Sequence, residues 1–236
     1  MGRIQALLLD VEGTTTPVDF VYRTLFPYAR ARLKAYLVEH WSEEDSHAEV
    51  ERLAAEHASE TGAAPPWRAE PGAVAAYLTW LMDEDRKSTG LKSVQGRIWA
   101  EGYDRGELRG TVYADVPRAF ERWRREGRRI AIFSSGSVLA QRLLFANSTA
   151  GDLTAHIDAY FDTTTGPKRD AASYARIASA LAVPSIAMLF LSDVAAELDA
   201  AAAAGMRTAL SLRDGAEAPR ASPHVAVRSF DEVETE

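Results

Sequence analysis

No cysteine occurs among the 236 residues. That removes disulfides, thiolate metal sites and cysteine nucleophiles at once, and it fits a reducing compartment. Long apolar runs are missing as well, since nothing approaches the roughly 20 residues that span a bilayer. The stretch Ala6-Leu7-Leu8-Leu9 is broken by Asp10 and Glu12, too early for a signal peptide. Met1-Gly2 does not continue as a myristoylation signal, because Ala6 stands where Ser or Thr is required. These absences predict a cytoplasmic protein that binds no membrane. Positive charge is in deficit: 27 Lys and Arg face 34 Asp and Glu, a formal net charge of −7. A general nucleic-acid binder carries the opposite footprint, although a small anion in a locally basic pocket stays open. Nucleotide-binding strings of the Walker and Gly-x-Gly-x-x-Gly types are absent, and Ser135 lacks the Gly-x-Ser-x-Gly elbow of a serine hydrolase. The five histidines, His40, His47, His57, His156 and His224, show no metal-ligand spacing.

What is present describes a folded chain. Hydrophobic residues make up 47% and charged residues 26%, enough for a core and too apolar for disorder. At roughly 150 residues per domain, the length suits one domain with a large insertion as well as two small domains. Compact apolar runs without alternation, at residues 4–9, 129–133, 186–191 and 207–212, suit strands buried on both faces of a parallel sheet. Helical patterns at 114–126, 173–181 and 194–204 precede the later strands, with Gly127 and Gly205 placed as C-terminal caps. This alternation predicts an α/β fold, a parallel sheet with right-handed crossovers. Between Pro17 and Val112 the strand pattern disappears. Helices are predicted there at 21–40, 43–60, 72–87 and 91–101, with Gly62-Ala63-Ala64-Pro65-Pro66 as a linker. The division is therefore a core of residues 1–17 and 112–236 and a helical cap of residues 18–111, laid over the sheet's carboxyl edge.

Ligands of open parallel sheets bind beyond the carboxyl ends of the strands. The polar residues there are Asp10 and Glu12, then Ser134 and Ser135, then Asp193. Carboxylates and hydroxyls converging on one edge suggest a hard-cation site suited to Mg²⁺. An Asp beside that ion can accept a phosphoryl group, because the ion suppresses repulsion between two anions. The non-transferred oxygens need donors, which Ser134, the backbone around Ser135 and a lysine can supply. Gly166-Pro167-Lys168 offers the lysine ahead of a helix, with Arg169 adjoining it. Each piece alone has a plainer explanation. Asp10 and Asp193 are also what a turn or helix cap uses, and Ser134-Ser135-Gly136-Ser137 is ordinary turn chemistry. The order acidic, hydroxyl, lysine, acidic, with all but the lysine at strand ends, is what favours a site. The arginines at 118, 122, 124, 125, 128 and 129 form one basic run, read as a solvated helix face rather than a nucleic-acid surface.

Asp10-Val11-Glu12-Gly13-Thr14-Thr15 resembles the first motif of the haloacid-dehalogenase-like superfamily, and Ser134, Lys168 and Asp193-x-x-x-Glu197 resemble the other three. Most phosphatases of that superfamily carry Asp two residues after the nucleophile, whereas this chain has Glu12. That departure is similar to the enolase-phosphatase (acireductone synthase) family of methionine salvage. Leu25-Phe26-Pro27-Tyr28, Gln95-Gly96-Arg97-Ile98-Trp99, Leu143-Leu144-Phe145 and Phe161-Asp162-Thr163 belong to the same resemblance, which runs from about Leu7 to Leu212. It implies a Rossmann-like sheet of the haloacid-dehalogenase-like type with an inserted all-helical cap. It implies one Mg²⁺ per chain, held by the Asp10 and Asp193 carboxylates and the Glu12 carbonyl, with Asp10 also the nucleophile. Ser134 and Ser135 would hold substrate, Lys168 would neutralise the phosphoryl group, Glu12 would act as acid and base, and Glu197 would orient its neighbours. The implied substrate is a phosphorylated diketone, 2,3-diketo-5-methylthiopentyl 1-phosphate, enolised and then dephosphorylated by a monomer. For the enolisation base, Glu12 and Lys168 both stay open. Another capped phosphatase of the superfamily, or a non-catalytic relative that binds a phosphorylated metabolite, are the alternatives. Phe20, Tyr22, Trp99 and Tyr103 are candidates for an apolar wall around the methylthio tail, or for packing within the cap.

Overall fold

The structure is a computed structural model that describes residues 2–217 and 222–236. Two compact units emerge: Met1–Val21 together with Arg109–Glu236, and Tyr22–Leu108.

The first unit is built on six parallel strands: β1 (Ala6–Leu9), β2 (Arg129–Phe133), β3 (Ala159–Phe161), β4 (Met188–Ser192), β5 (Arg207–Ser211) and β6 (Val225–Val227). Their order is β3-β2-β1-β4-β5-β6. β1 lies at the centre, with Leu9 level with Ile132 of β2 and Leu191 of β4. Every residue of β1 and β4 is buried, as the non-alternating apolar runs require. The crossover helices are α6 (Asp115–Arg125), α7 (Val138–Ala146), α8 (Ala171–Ala180) and α9 (Ala195–Ala203), counted after the five that come before them in the chain. One face of the sheet packs Leu8, Phe133 and Phe190 against Tyr174 and Ile177 of α8 and Leu198 of α9. On α6 the buried apolar residues are Val116, Ala119, Phe120 and Trp123, the three-and-four spacing of a helix face. Phe120 is fully buried, so Phe120→Ala should cost about 3–5 kcal/mol. Gly127 and Gly205 end their helices at φ of 74° and 86°, the left-handed turn expected of them.

Strands β3 and β6 go beyond the sequence expectation. Each has three residues, too few to stand out as an apolar run. The third expected strand is also displaced. Residues 185–187 form a 3₁₀ turn and the strand begins at Met188. The basic run is corrected in part. Arg118 pairs with Asp231, Arg122 donates to the Phe230 and Val233 carbonyls, and Arg124 pairs with Asp158. Arg128 is only 4% exposed and donates to the Thr235 carbonyl. These arginines clamp neighbouring chain rather than facing solvent alone.

Within the first unit α1 (Val18–Phe20) leads into a π-helical turn (Val21–Leu25), and the chain continues as α2 (Phe26–Glu39) of the second unit. That unit adds α3 (Glu44–Ala58), α4 (Pro71–Asp83) and α5 (Thr89–Asp104). Its interior holds Leu33, Leu53, Tyr77, Leu78, Val94 and Ile98. The Trp99 indole donates to the Leu25 carbonyl at 2.8 Å. α5 starts on Ser88, which accepts from the Leu91 amide at 2.9 Å, while Glu56 of α3 accepts from the Gly90 amide at 3.1 Å. A carboxylate at a helix N-terminus opposes the helix dipole favourably. Phe20, Trp99 and Tyr103 are buried, which favours packing over wall duty, whereas Tyr22 is 60% exposed with Phe26 edge-on at 5.5 Å.

Candidate active site

The central strand ends at Leu9, and the next residue, Asp10, sits where the strand order reverses on either side of β1, the crevice that ligands of such sheets use. The loop after it is a tight coil. The amides of Thr14, Thr15 and Thr16 all converge on the Val11 carbonyl at 2.9–3.3 Å, and the Gly13 amide reaches the Thr16 carbonyl at 2.8 Å. Gly13 has φ +66°, and a Cβ there would lie 2.2 Å from Asp193 Oδ2. Only glycine lets the Asp193 carboxylate rest against this loop.

Asp10 is 4% exposed. Its Oδ1 lies 2.5 Å from Lys168 Nζ, and Lys168 Nζ lies 2.6 Å from Glu197 Oε2. Behind them the Ser192 hydroxyl is 3.0 Å from Glu197 Oε2 and 3.3 Å from Asp10 Oδ2. A hydroxyl has one proton, so it serves one carboxylate at a time and the shorter contact is to Glu197. α8 fixes the lysine from below: Tyr174 donates to the Lys168 carbonyl at 2.7 Å and Ser173 to the Pro167 carbonyl at 2.8 Å.

Asp10, Glu12, Asp193 and Glu197 thus share a small volume with a single lysine. Burial pushes the Glu12 carboxyl up to about 7, with Asp10 repelling it further and Lys168 offsetting part of the rise. Burial and then Asp10 raise Asp193 to about 6. Glu197 moves upward for the same reasons. For Lys168 burial opposes the charge, but Asp10 and Glu197 outweigh it and hold the ammonium above its usual range. Such an excess of negative charge calls for a cation. Among the described residues no set of three or more His, Cys, Asp or Glu side chains is drawn together as a metal cage. A donor set of two carboxylates, Asp10 and Asp193, with the Glu12 carbonyl needs no third side chain. Three hard oxygens suit Mg²⁺, which keeps several waters of its own. The residues fit the ion.

On the neighbouring strand, the β1–β2 register sets Leu9 level with Ile132, so Phe133 falls level with Asp10 and Ser134 comes one step further along the same carboxyl edge. Ser134 is buried, and its hydroxyl accepts from the Gly136 amide at 3.1 Å. Ser135 is exposed at the same edge. Ser137 caps α7, accepting from the Ala140 amide, so a helix N-terminus also opens here. Gln141 ties this turn to β3, donating to the Gly136 and Phe161 carbonyls at 2.8 and 2.9 Å.

The structure therefore brings Asp10, Glu12, Lys168, Asp193 and Glu197 together, and sets Ser134 and Ser135 on the adjoining strand end. Sequence reasoning missed Ser192, Tyr174 and Gln141. Ser192 was legible as the hydroxyl before Asp193 at a strand end. The other two act through distant partners and left no local signal.

Comparison with known proteins agrees with this geometry. A family model for haloacid dehalogenase-like hydrolases matches residues 4–205. The chain is 52% identical to the enolase-phosphatase E1 of Synechococcus elongatus, covering 98% of each. It is 50% identical to that of Sorangium cellulosum, covering 97% of each, and 46% to that of Pseudomonas aeruginosa, covering 99% of each. Among solved structures, the UTR4 protein of Saccharomyces cerevisiae superposes with a TM-score of 0.81 at 34% identity, over 98% of this chain and 100% of that one. CbbY of Rhodobacter sphaeroides shares the fold, with a TM-score of 0.57 at 18% identity over 97% and 96%. Enolase-phosphatases of this fold are generally Mg²⁺-dependent. Matched by the family model over most of its length and about half identical to these relatives over nearly all of it, the chain belongs to the haloacid dehalogenase-like hydrolases and, within them, to the enolase-phosphatase family.

Proposed function

We propose that the enzyme converts 2,3-diketo-5-methylthiopentyl 1-phosphate to 1,2-dihydroxy-3-keto-5-methylthiopentene, by enolisation and then dephosphorylation. The observation that carries this reading is the Asp10 carboxylate, held at the switch-point strand end with one oxygen on Lys168. A carboxylate so anchored is aimed rather than mobile, which is what in-line attack needs. One Mg²⁺, on Asp10, Asp193 and the Glu12 carbonyl, would neutralise the phosphate and steady the enediolate.

In the phosphatase step the Asp10 oxygen bonds to phosphorus as the bond to the substrate oxygen breaks. Glu12 gives that oxygen its proton. The Glu12 carboxylate then takes a proton from water, whose oxygen displaces Asp10 from phosphorus and frees phosphate. A group that titrates near neutrality can give and take in this way. Lys168, Ser134 and the backbone around Ser135 hold the phosphoryl oxygens. Lys168 already donates to two carboxylates, so it holds protons rather than removing them, which assigns the enolisation base to Glu12. The proton that Glu12 takes from the carbon beside the carbonyl is then the one it returns to the leaving oxygen, and the proton it later takes from water passes to the enediolate oxygen, which leaves Glu12 ionised for the next turnover. Glu197 and Ser192 orient Lys168. The inserted helices belong to this reading as a cap, on the strength of the resemblance and of their insertion directly after the Asp10 loop. The protein is taken to act as a cytoplasmic monomer, and no helix in the described residues is long and apolar enough to cross a membrane.

The test is an assay of the purified protein with the diketo phosphate and Mg²⁺. Enediol absorbance followed by phosphate release is expected. Phosphate release only from other esters would reassign it to another capped phosphatase of the superfamily. Absence of all turnover would make it a binding protein.

A further inference from the structure

Below the Asp10 loop lies a buried charge that the reaction does not use. Arg213 follows β5, and its side chain is 7% exposed. Its Nε and Nη2 both donate to the Thr14 carbonyl, at 3.2 and 3.0 Å. Nη1 donates to Asp115 Oδ2 at 2.8 Å and to the Arg228 carbonyl at 3.1 Å. The guanidinium also lies over the rings of Tyr113 and Phe230, 4.5 and 4.7 Å from their centroids. Asp115, 9% exposed, is held by more than the arginine, since its Oδ2 also accepts from the Phe230 amide and the Ser229 hydroxyl. A buried ion pair with this many partners has one geometry, and its desolvation cost is met only in that geometry.

The neighbouring carbonyls are held in the same manner. Ser211 donates to the Gly13 carbonyl at 3.1 Å and the Tyr113 amide to the Thr15 carbonyl at 3.0 Å. Three successive carbonyls, those of Gly13, Thr14 and Thr15, are thus engaged by groups of the sheet unit, immediately after Glu12.

We infer that Arg213, braced by Asp115, is a positioning residue for the reaction: by gripping the Thr14 carbonyl it fixes the turn that presents Glu12 and seats Gly13 against Asp193. This rests on the reading that Asp10 and Glu12 carry the chemistry. Loss of the grip would leave the nucleophile loop intact in sequence but loose by a fraction of an ångström to an ångström, a displacement that costs about 10²-fold in rate.

Arg122 provides the control. It holds the same 230–233 segment through the Phe230 and Val233 carbonyls but does not touch the loop. Arg213→Gln, Arg213→Lys and Arg122→Gln are compared for Tm, for kcat and KM on the diketo phosphate and on p-nitrophenyl phosphate, and for amide hydrogen exchange in the peptide 10–16. Arg213→Gln is expected to lower kcat at least about tenfold with KM within about threefold, and to speed exchange at Thr14–Thr16. Arg213→Lys should fall between it and wild type, and it remains informative if the glutamine variant fails to fold. Arg122→Gln should lower Tm without changing kcat or loop exchange. Loss of kcat that tracks Tm equally in both positions, or unchanged exchange in 10–16, would overturn the assignment. Should wild type turn over neither ester, the functional reading falls and the role in the reaction with it, while the exchange comparison still decides whether Arg213 fixes the 10–16 loop.

Discussion

The ion pairs at the sheet's carboxyl edge differ in kind from those on the outside of the helical unit. On the helical unit's surface Arg30 meets Asp83 with both side chains about half exposed, and Arg32 meets Glu107 similarly. At the sheet's carboxyl edge Lys168, Asp10 and Glu197 are nine-tenths buried and share one ammonium between two carboxylates. Water screens the first kind, so its loss changes little. The second kind has no solvent to replace a missing partner, so its loss exposes the whole desolvation cost. Reactivity collects where charges are crowded and dry, and the surface pairs serve as the internal standard.

The largest break in that comparison is expected from Asp10→Asn. It removes the nucleophile while keeping shape, so phosphate release should fall to background with the circular dichroism spectrum unchanged. Release near the wild-type level would remove Asp10 from the nucleophile's role. Lys168→Met comes next. Turnover should fall by about 10²–10³-fold, as when one preorganised donor is lost. In Mg²⁺-free buffer at neutral pH the two stranded carboxylates should cost about 3–5 kcal/mol by urea unfolding.

A smaller effect follows from proton linkage. Glu12 at about 7 and Asp193 at about 6 are raised above their unfolded values, so the folded state binds more protons between roughly pH 4 and 7. Their contribution is therefore full below the unfolded values and declines as pH rises through that window. Tm measured against pH without Mg²⁺ should drop more steeply for wild type than for Glu12→Gln, and saturating Mg²⁺ should flatten the difference. Parallel curves would argue that Glu12 is not crowded in solution. At the small end, Arg30→Ala should leave both Tm and kcat at the wild-type values. A clear loss there would erase the contrast between the two kinds of ion pair.

Much of the sheet edge was legible because β1, β2 and β4 are largely apolar runs, and a polar residue closing such a run is conspicuous. Asp10, Ser134 and Asp193 were readable on that ground. Lys168 was not at a strand end, and only its Gly-Pro approach and the resemblance singled it out. β3 and β6 were illegible at three residues each, and their pairing comes from neighbours already in the sheet. α7 was hidden because Ser137, its cap, looked like the last residue of a turn. Arg213 stood in plain view beside Asp214 and Gly215, but its importance depends on Thr14 and Asp115, about 199 and 98 positions away. Contacts of that span are a property of the fold, and no local pattern encodes them.

One detail of the sheet unit has a practical side. The Ile4 amide donates to the Thr235 carbonyl at 3.1 Å, so the two flanks of the sequence run side by side. In connectivity the chain is close to a ring lacking one link. A short peptide joining the flanks, with a new opening cut in the Gly62–Pro66 stretch that forms no helix or strand, would give a circular permutant in which both segments of the sheet unit are contiguous. The order in which strands leave the ribosome would change while the Asp10 crevice stayed the same, which separates the route of folding from its destination.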